Sequence, residues 1–284
     1  MRIIITGASG ILGRRLMEKF SDHEYIPYTG RVEDFGNLHK FINKHKQHDV
    51  ILHLAALVPR EKVENSPKLA FDSNVLGTFN ILESVRQTRG HNSSLVIVSS
   101  SHVYASKSGK LQESDKRDPV SWYGRTKLLS EDLCETFRKS YRMNICVPRI
   151  FSYTDQDQSN EYFIPAMIDK ISNAPLNHEL FIPGLNGARD FLNSDQVVTG
   201  LELLCNVQVN SSLNIGSGKK TILLDLVIKI MEILDRRDLK ITTDMSKLNL
   251  VSDNSKIKKL GLNFDDNFEM YLEQMIKNYN RNKK

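Results

Sequence analysis

Cysteine, proline and tryptophan are scarce in this chain: 3, 8 and 1 in 284 residues. The cysteines, Cys134, Cys146 and Cys205, stand far apart with no CxxC pair. Such spacing excludes the disulfide framework of a small secreted domain and supplies no zinc-ligand pattern. The three are expected to be buried small hydrophobes in a reducing, cytoplasmic setting, and no metal is expected. Long apolar runs are missing too. The opening Ile3-Ile4-Ile5 is cut short by Gly7, which leaves neither a signal peptide nor the roughly 18 apolar residues of a membrane span. A strong charge of one sign is also absent. The net charge is +5, the basic residues are scattered, and their one cluster, Lys277–Lys284, is read as a solvated terminus. Nucleic acid is therefore not the expected partner. Hydrophobic residues at 40% and charged residues at 26% are the balance of an ordinary globular chain.

What the chain does have is alternation. Short apolar runs at Arg2–Thr6, Tyr25–Tyr28, Val50–Leu54, Leu95–Ser99 and Asn144–Arg149 predict strands. Amphipathic patterns at Leu12–Phe20, Phe35–His45, Pro67–Arg89 and Trp122–Tyr141 predict the helices between them. Strand–helix alternation with right-handed crossovers gives an α/β fold with a doubly wound parallel sheet. After Phe151 the pattern loosens. Tyr153–Asn160 reads as a polar loop, Tyr162–Ile171 as a helix and Glu179–Ile182 as a strand. Pro183-Gly184 and Asn186-Gly187 mark turns, and Ser194–Cys205 and Ile222–Leu234 read as helices.

The segment Thr6-Gly7-Ala8-Ser9-Gly10-Ile11-Leu12-Gly13 joins the first strand to the first helix. Gly7 permits a tight turn, Gly10 a close approach of backbone to a pyrophosphate, and Gly13 close helix–strand packing. The helix behind it offers unpaired N–H groups to phosphates. This turn, with Ser9, Ile11 and Leu12 among its glycines, is the expected seat of a dinucleotide, and the fold is a Rossmann domain. A carboxylate ending the second strand would favour NAD; that place holds Thr29, followed by Gly30 and Arg31. Arg31 suits a 2′-phosphate, so NADP(H) is expected over NAD(H). The alternative leaves Arg31 on the surface, with Asp34 or a backbone group serving the adenosine.

Tyr123 and Lys127 in "WYGRTK" are four apart in a predicted helix and share a face. A nearby ammonium favours the phenolate and is expected to draw Tyr123 down from its ordinary pKa near 10. Upstream, the apolar strand "LVIVSS" ends in Ser99-Ser100-Ser101, where a hydroxyl can bind a substrate carbonyl oxygen. Together these residues predict hydride transfer with a tyrosine acid–base.

These stretches resemble the extended short-chain dehydrogenase/reductase family, the branch of NAD(P)-dependent epimerases, dehydratases and reductases acting on nucleotide-linked sugars. Beyond "TGASGILG" and "YGRTK", the similar segments are "ILHLAA", "NVLGTFNIL", "VSSSHVYA", "ARDFLNSDQVV", "LNIGSGKKTILLDLV" and "DNSKIKKLGL". The resemblance implies cofactor contacts at Ala55, Ala56 and Asn74, catalysis by Ser100 with Tyr123 and Lys127, and a nucleotide-diphosphate sugar held by Arg189. Ser152 stands where the family usually has Asn. Ser101 and His102 occupy the places of the Asp-Glu pair of the 4,6-dehydratases, so dehydration is not expected. Ser101, His102 and Ser152 are then expected to border substrate. His102 is either a second acid–base group, as an epimerase would need, or a hydrogen-bonded histidine beside the crevice. The compressed link between Thr29 and Val50 resembles that of NADPH-using reductases of 4-keto-deoxysugar nucleotides.

The expected function is NADP(H)-dependent reduction of a nucleotide-linked keto-deoxysugar. An epimerase with tightly bound NAD(P), or a dinucleotide-binding sensor without chemistry, are the alternatives. Residues 1–152 with about 187–211 are expected to form the Rossmann domain, and about 153–186 and 212–284 a smaller C-terminal substrate lobe. The resemblance further implies a homodimer formed through the Pro67–Arg89 and Trp122–Tyr141 helices.

Overall fold

A computed structural model describes residues 1–88 and 93–282. In chain order its strands are β1 (Arg2–Thr6), β2 (Glu24–Tyr28), β3 (Val50–His53), β4 (Ser94–Ile97), β5 (Ser99–Ser100), β6 (Ile145–Ile150), β7 (Ser152–Thr154), β8 (Glu179–Phe181), β9 (Ala188–Arg189), β10 (Phe191–Asn193), β11 (Ser212–Ile215), β12 (Thr221–Ile222), β13 (Lys240–Thr242) and β14 (Asn249–Leu250). The α-helices are α1 (Ile11–Lys19), α2 (Phe35–Lys44), α3 (Arg60–Asn65), α4 (Pro67–Ala70), α5 (Gly77–Gln87), α6 (Trp122–Tyr141), α7 (Phe163–Asn173), α8 (Ser194–Asn206), α9 (Leu223–Ile233), α10 (Ser255–Lys259) and α11 (Phe268–Asn282). The main sheet has seven strands in the order β11-β6-β4-β3-β1-β2, with β5 paired to β6, and its pairings are parallel.

Side chains alternate across this sheet with the period of two that a strand imposes. Ile3, Ile5, Val50 and Leu52 pack with Leu16 of α1 and Val197, Val198 and Leu201 of α8. Ile4 and Ile51 face the other way, onto Leu38 and Ile42 of α2 and Ile81, Leu82 and Val85 of α5. Each such burial contributes about 1.5–3 kcal/mol, and two covered faces explain the near-continuous apolar runs. Since β1 lies between β2 and β3, the winding direction reverses there. A doubly wound sheet opens its crevice at that point, beyond the carboxyl ends of the strands.

The structure departs from the sequence reading in several places. The helix expected over Pro67–Arg89 is α4, a π-helical stretch at Phe71–Leu76, and α5; Arg89 lies outside the described residues. The loop expected at Tyr153–Asn160 gives its start to β7, which pairs in parallel with β10. Ser212–Ile215 completes the main sheet as β11, beyond the boundary expected at residue 211. Its apolar alternation is hidden by Asn214, whose amide accepts from the Tyr104 hydroxyl at 2.6 Å and donates to the Leu111 carbonyl at 2.8 Å. The basic tail, read as a solvated terminus, is helical through residue 282. It belongs to α11, which carries Leu272, Met275 and Ile276 into a core shared with α7 and α9 and keeps Lys277 exposed. Residues 283 and 284 lie outside the described residues. The three cysteines are buried and free. No helix among the described residues is long and apolar enough to cross a membrane, and none of their His, Cys, Asp and Glu groups is arranged to hold a metal.

Candidate active site

A cleft of about 980 Å³ runs along the carboxyl ends of the main-sheet strands. Gly7, Ser9, Gly10, Ile11, Leu12 and Gly13 line one part of it. Gly7 has φ +72°, and a Cβ there would come within 2.7 Å of the Ala55 amide nitrogen. A Cβ on Gly13 would lie 2.6 Å from the carbonyl oxygens of Gly7 and Ala8. The tight turn and the close helix packing are thus real contacts. Gly10 is the N-cap of α1, with no side-chain cap and no acidic residue in the first turn. The first-turn N–H groups therefore suit a pyrophosphate placed in the cleft. Ala55 and Ala56 line the cleft as expected.

Asn74, the expected cofactor ligand, does not. It is buried in the π-helical stretch, accepts from the Leu57 amide at 2.7 Å and donates to the Leu57 carbonyl and the Thr126 hydroxyl, both at 3.0 Å. It holds the loop after β3, and its neighbour Ser73 reaches the cleft instead. Arg31 lines the cleft with its side chain 73% exposed. It is ion-paired with Glu33, a cleft-lining carboxylate that the sequence reading passed over, at 2.5 Å. Asp34, the alternative adenosine ligand, is the N-cap of α2 and accepts from the Asn37 amide at 3.1 Å.

Ser100 joins Tyr123 and Lys127, more than twenty residues on in the chain, in lining the cleft. β5 brings in Ser100 and α6 brings in the other two. Lys127 is 7% exposed and donates to the Val98 carbonyl at 2.9 Å. Burial pushes its ammonium down to about 8, against the opposing pull of Glu131. Tyr123 does not follow the expectation of a lowered pKa. Burial pushes the phenol up to about 12, and its hydrogen bond with Ser100 only partly offsets that. The physical reason is that desolvation disfavours a would-be phenolate more than the Ser100 hydrogen bond favours it. The His102 ring packs edge-on to the Tyr123 ring at 5.8 Å. Ser101, His102, Ser152 and Arg189 also line the cleft. Arg189 donates to the carbonyls of Ala188 and Leu248. Tyr153, Tyr162, Phe163, Phe191 and Leu223 form an apolar wall that the sequence reading did not single out. They come from β7, the start of α7, β10 and α9, so no local pattern joins all five.

With this geometry in view, residues 3–216 match the NAD dependent epimerase/dehydratase family. The chain belongs to that family. An uncharacterized UDP-glucose epimerase of Bacillus subtilis is 28% identical over 269 residues, spanning 84% of this chain and 83% of that protein. GDP-6-deoxy-D-mannose reductase of Pseudomonas aeruginosa is 23% identical over 263 residues, 87% and 84% of the two chains. Among solved structures, the dTDP-glucose 4,6-dehydratase DesIV from Streptomyces venezuelae, with NAD and TYD bound, superposes with a TM-score of 0.87 at 20% identity, covering 99% of this chain and 98% of that one. RMD from Pseudomonas aeruginosa, complexed with NADPH, gives 0.84 at 20% identity with 97% of each chain covered. At these identities the structural likeness is one of fold, and it extends beyond residue 216 into the C-terminal part. Membership in the epimerase/dehydratase family makes this an NAD(P)-dependent enzyme.

Proposed function

We propose that the protein is an NADP(H)-dependent reductase of a nucleotide-linked keto-deoxysugar. The observation that carries this reading is the placement in the dinucleotide cleft of Tyr123, hydrogen-bonded with Ser100, and of Lys127 one helix turn along α6. A phenol pushed up to about 12 keeps its proton at neutral pH, so it serves as the donor that reduction of a ketone requires. When bound, the nicotinamide supplies the hydride. Tyr123 protonates the sugar oxygen, Ser100 donates a hydrogen bond to that oxygen, and Lys127 supports the charge left on Tyr123 and holds a ribose hydroxyl. The glycine turn with Ser9, Ile11 and Leu12 holds the pyrophosphate, and Ala55 and Ala56 lie along the cofactor. Arg31 leaves Glu33 to bind the 2′-phosphate. An exposed ion pair is worth at most about 1 kcal/mol, so the exchange is cheap. Arg189 holds the substrate diphosphate, and Ser101, His102 and Ser152 border the sugar.

A second reading is an epimerase that retains its dinucleotide, and the Bacillus subtilis relative favours it. A sensor has no use for a half-buried phenol bonded to a serine. The proposal includes two lobes, residues 1–152 with about 187–215 and the remainder, a cytoplasmic location consistent with three buried free cysteines, and a homodimer.

The test is a panel of nucleotide-linked 4-keto sugars with NADPH, followed by the absorbance of the reduced cofactor. Stoichiometric loss of NADPH with alcohol formed is expected. Epimer formed without added cofactor, by protein that purifies with absorbing dinucleotide, would make it an epimerase. Arg31→Ala is expected to reduce the NADPH-to-NADH preference about 10-fold, the worth of one charged hydrogen bond; an unchanged ratio rejects that role.

A further inference from the structure

Tyr123, Lys127 and Glu131 recur every four residues on α6 and so share one helix face. Glu131 is buried. Its carboxylate is gripped by Arg149, with Nε at 2.9 Å and Nη2 at 2.7 Å, and accepts from the Ser99 hydroxyl at 2.6 Å and from Arg117 at 3.2 Å. Arg149 is itself buried, lies 4.8 Å over the Tyr104 ring, and donates to the Tyr104 hydroxyl and the Glu113 carbonyl. A buried ion pair stabilises no better than apolar packing, so its presence calls for another reason. Ser99 supplies one. It stands between Val98, whose carbonyl anchors the Lys127 ammonium, and Ser100, which bonds the Tyr123 phenol.

We propose that Glu131 is a positioning residue of this site: it fixes the Val98–Ser100 strand end and holds Lys127 in its ammonium form. This rests on the roles given above to Lys127 and Ser100. The groups whose charge acts on Lys127 are Glu131 and Cys134 from its own helix and His53 from β3, and Tyr123 stands one helix turn before it. Burial holds Cys134 neutral by pushing its thiol up to about 12, and burial with the Lys127 charge holds His53 neutral at about 3. Tyr123 keeps its proton. Glu131 is thus the one formal negative charge in that set. It opposes the burial that favours a neutral amine, and Arg149 pairs with it. A neutral amine at Lys127 could not stabilise a developing phenolate.

The test is the titration of Lys127 in protein carrying 13C-labelled lysine, followed by NMR and assigned with Lys127→Arg. In Glu131→Gln, which keeps the shape and loses the charge, the midpoint is expected to fall by about one pH unit. The basic limb of the kcat/KM profile moves down with it, whereas a merely structural role would lower turnover evenly across pH. An unchanged midpoint in the folded variant overturns the proposal. The double exchange Glu131→Gln with Arg149→Gln strands no charge and serves if the single variant does not fold. Its midpoint is also expected to fall, by less, and an unchanged or raised midpoint overturns the proposal. Ser99→Ala keeps the ion pair and is expected to keep the Lys127 midpoint while kcat falls several-fold at unchanged cofactor KM; unaltered kcat overturns the strand-end role. The titration needs no substrate. Failure of every keto sugar to turn over would therefore reject the reductase reading and leave the titration result intact.

Discussion

Tyr123 and His53 are governed at the residue scale by the same force, desolvation, acting on opposite charges. For Tyr123 it keeps the proton on; Tyr123→Phe is expected to lower kcat about 1,000-fold while cofactor affinity, read by fluorescence titration, stays within two- to threefold. Retained turnover would exclude the phenol as proton donor. His53 is buried with Nδ1 2.7 Å from the Thr6 hydroxyl. Burial, then the Lys127 charge, pushes it from 6.5 to about 3. The unfolded chain therefore takes up this proton first as pH falls. The stability His53 contributes is complete above pH 6.5 and is lost as pH drops toward 3. Between pH 7 and 4.5 the loss from this residue alone is roughly 2–3 kcal/mol. Urea unfolding at those two values should find His53→Gln losing less than the parent by that amount; equal losses would show that the ring is not neutral in the fold.

Individual elements show where local pattern suffices and where it fails. The glycine turn was readable because each glycine answers a contact within a few residues or across one strand. Gly13→Ala would drive a Cβ to 2.6 Å from two backbone carbonyls, which cannot yield as a side-chain end can. It is expected to cost about 1–3 kcal/mol by denaturant unfolding and to weaken dinucleotide binding. Gly10→Ala, whose Cβ would meet only the Gly7 carbonyl at 3.2 Å, should unfold close to the parent. Equal losses for the two would contradict the packing assigned to Gly13. The π-helical stretch was not readable. Apolar spacing there fits one continuous helix, and within the widened stretch the Asn74 side chain holds both backbone groups of Leu57, 17 residues away. α11 escaped notice because its apolar residues are separated by Glu, Gln and Lys and find their partners far away in the chain, on α7, α9 and β10.

The whole molecule leaves one feature unaccounted for within a single chain. Phe71, Leu76 and Phe79 around α5, and Trp122, Leu129 and Tyr141 on α6, remain exposed. Phe79 and Tyr141 both pack on Phe137, which joins the two helices into one surface. Exposed apolar side chains concentrated on neighbouring helices suit a symmetric partner. Sedimentation is expected to give a dimer at micromolar concentration, and the double variant Phe79→Glu with Leu129→Glu a monomer with the parent's circular dichroism. A parent monomer, or a dimer that survives both charges, would place the contact elsewhere.

The sequence by itself determined what depends on near neighbours: the glycine spacing at the first turn, the one-turn separation of Tyr123 and Lys127, and the alternation that makes a doubly wound sheet. These follow from backbone geometry over a handful of residues. Tertiary structure decided the rest. Strand order brings Glu131 to Ser99 across 32 positions and to Arg149 across 18. It diverts Asn74 from the cleft to Leu57, and it sets the direction of the Tyr123, Lys127 and His53 pKa values through burial. Burial is a property of everything packed around a group, so no local spacing encodes it.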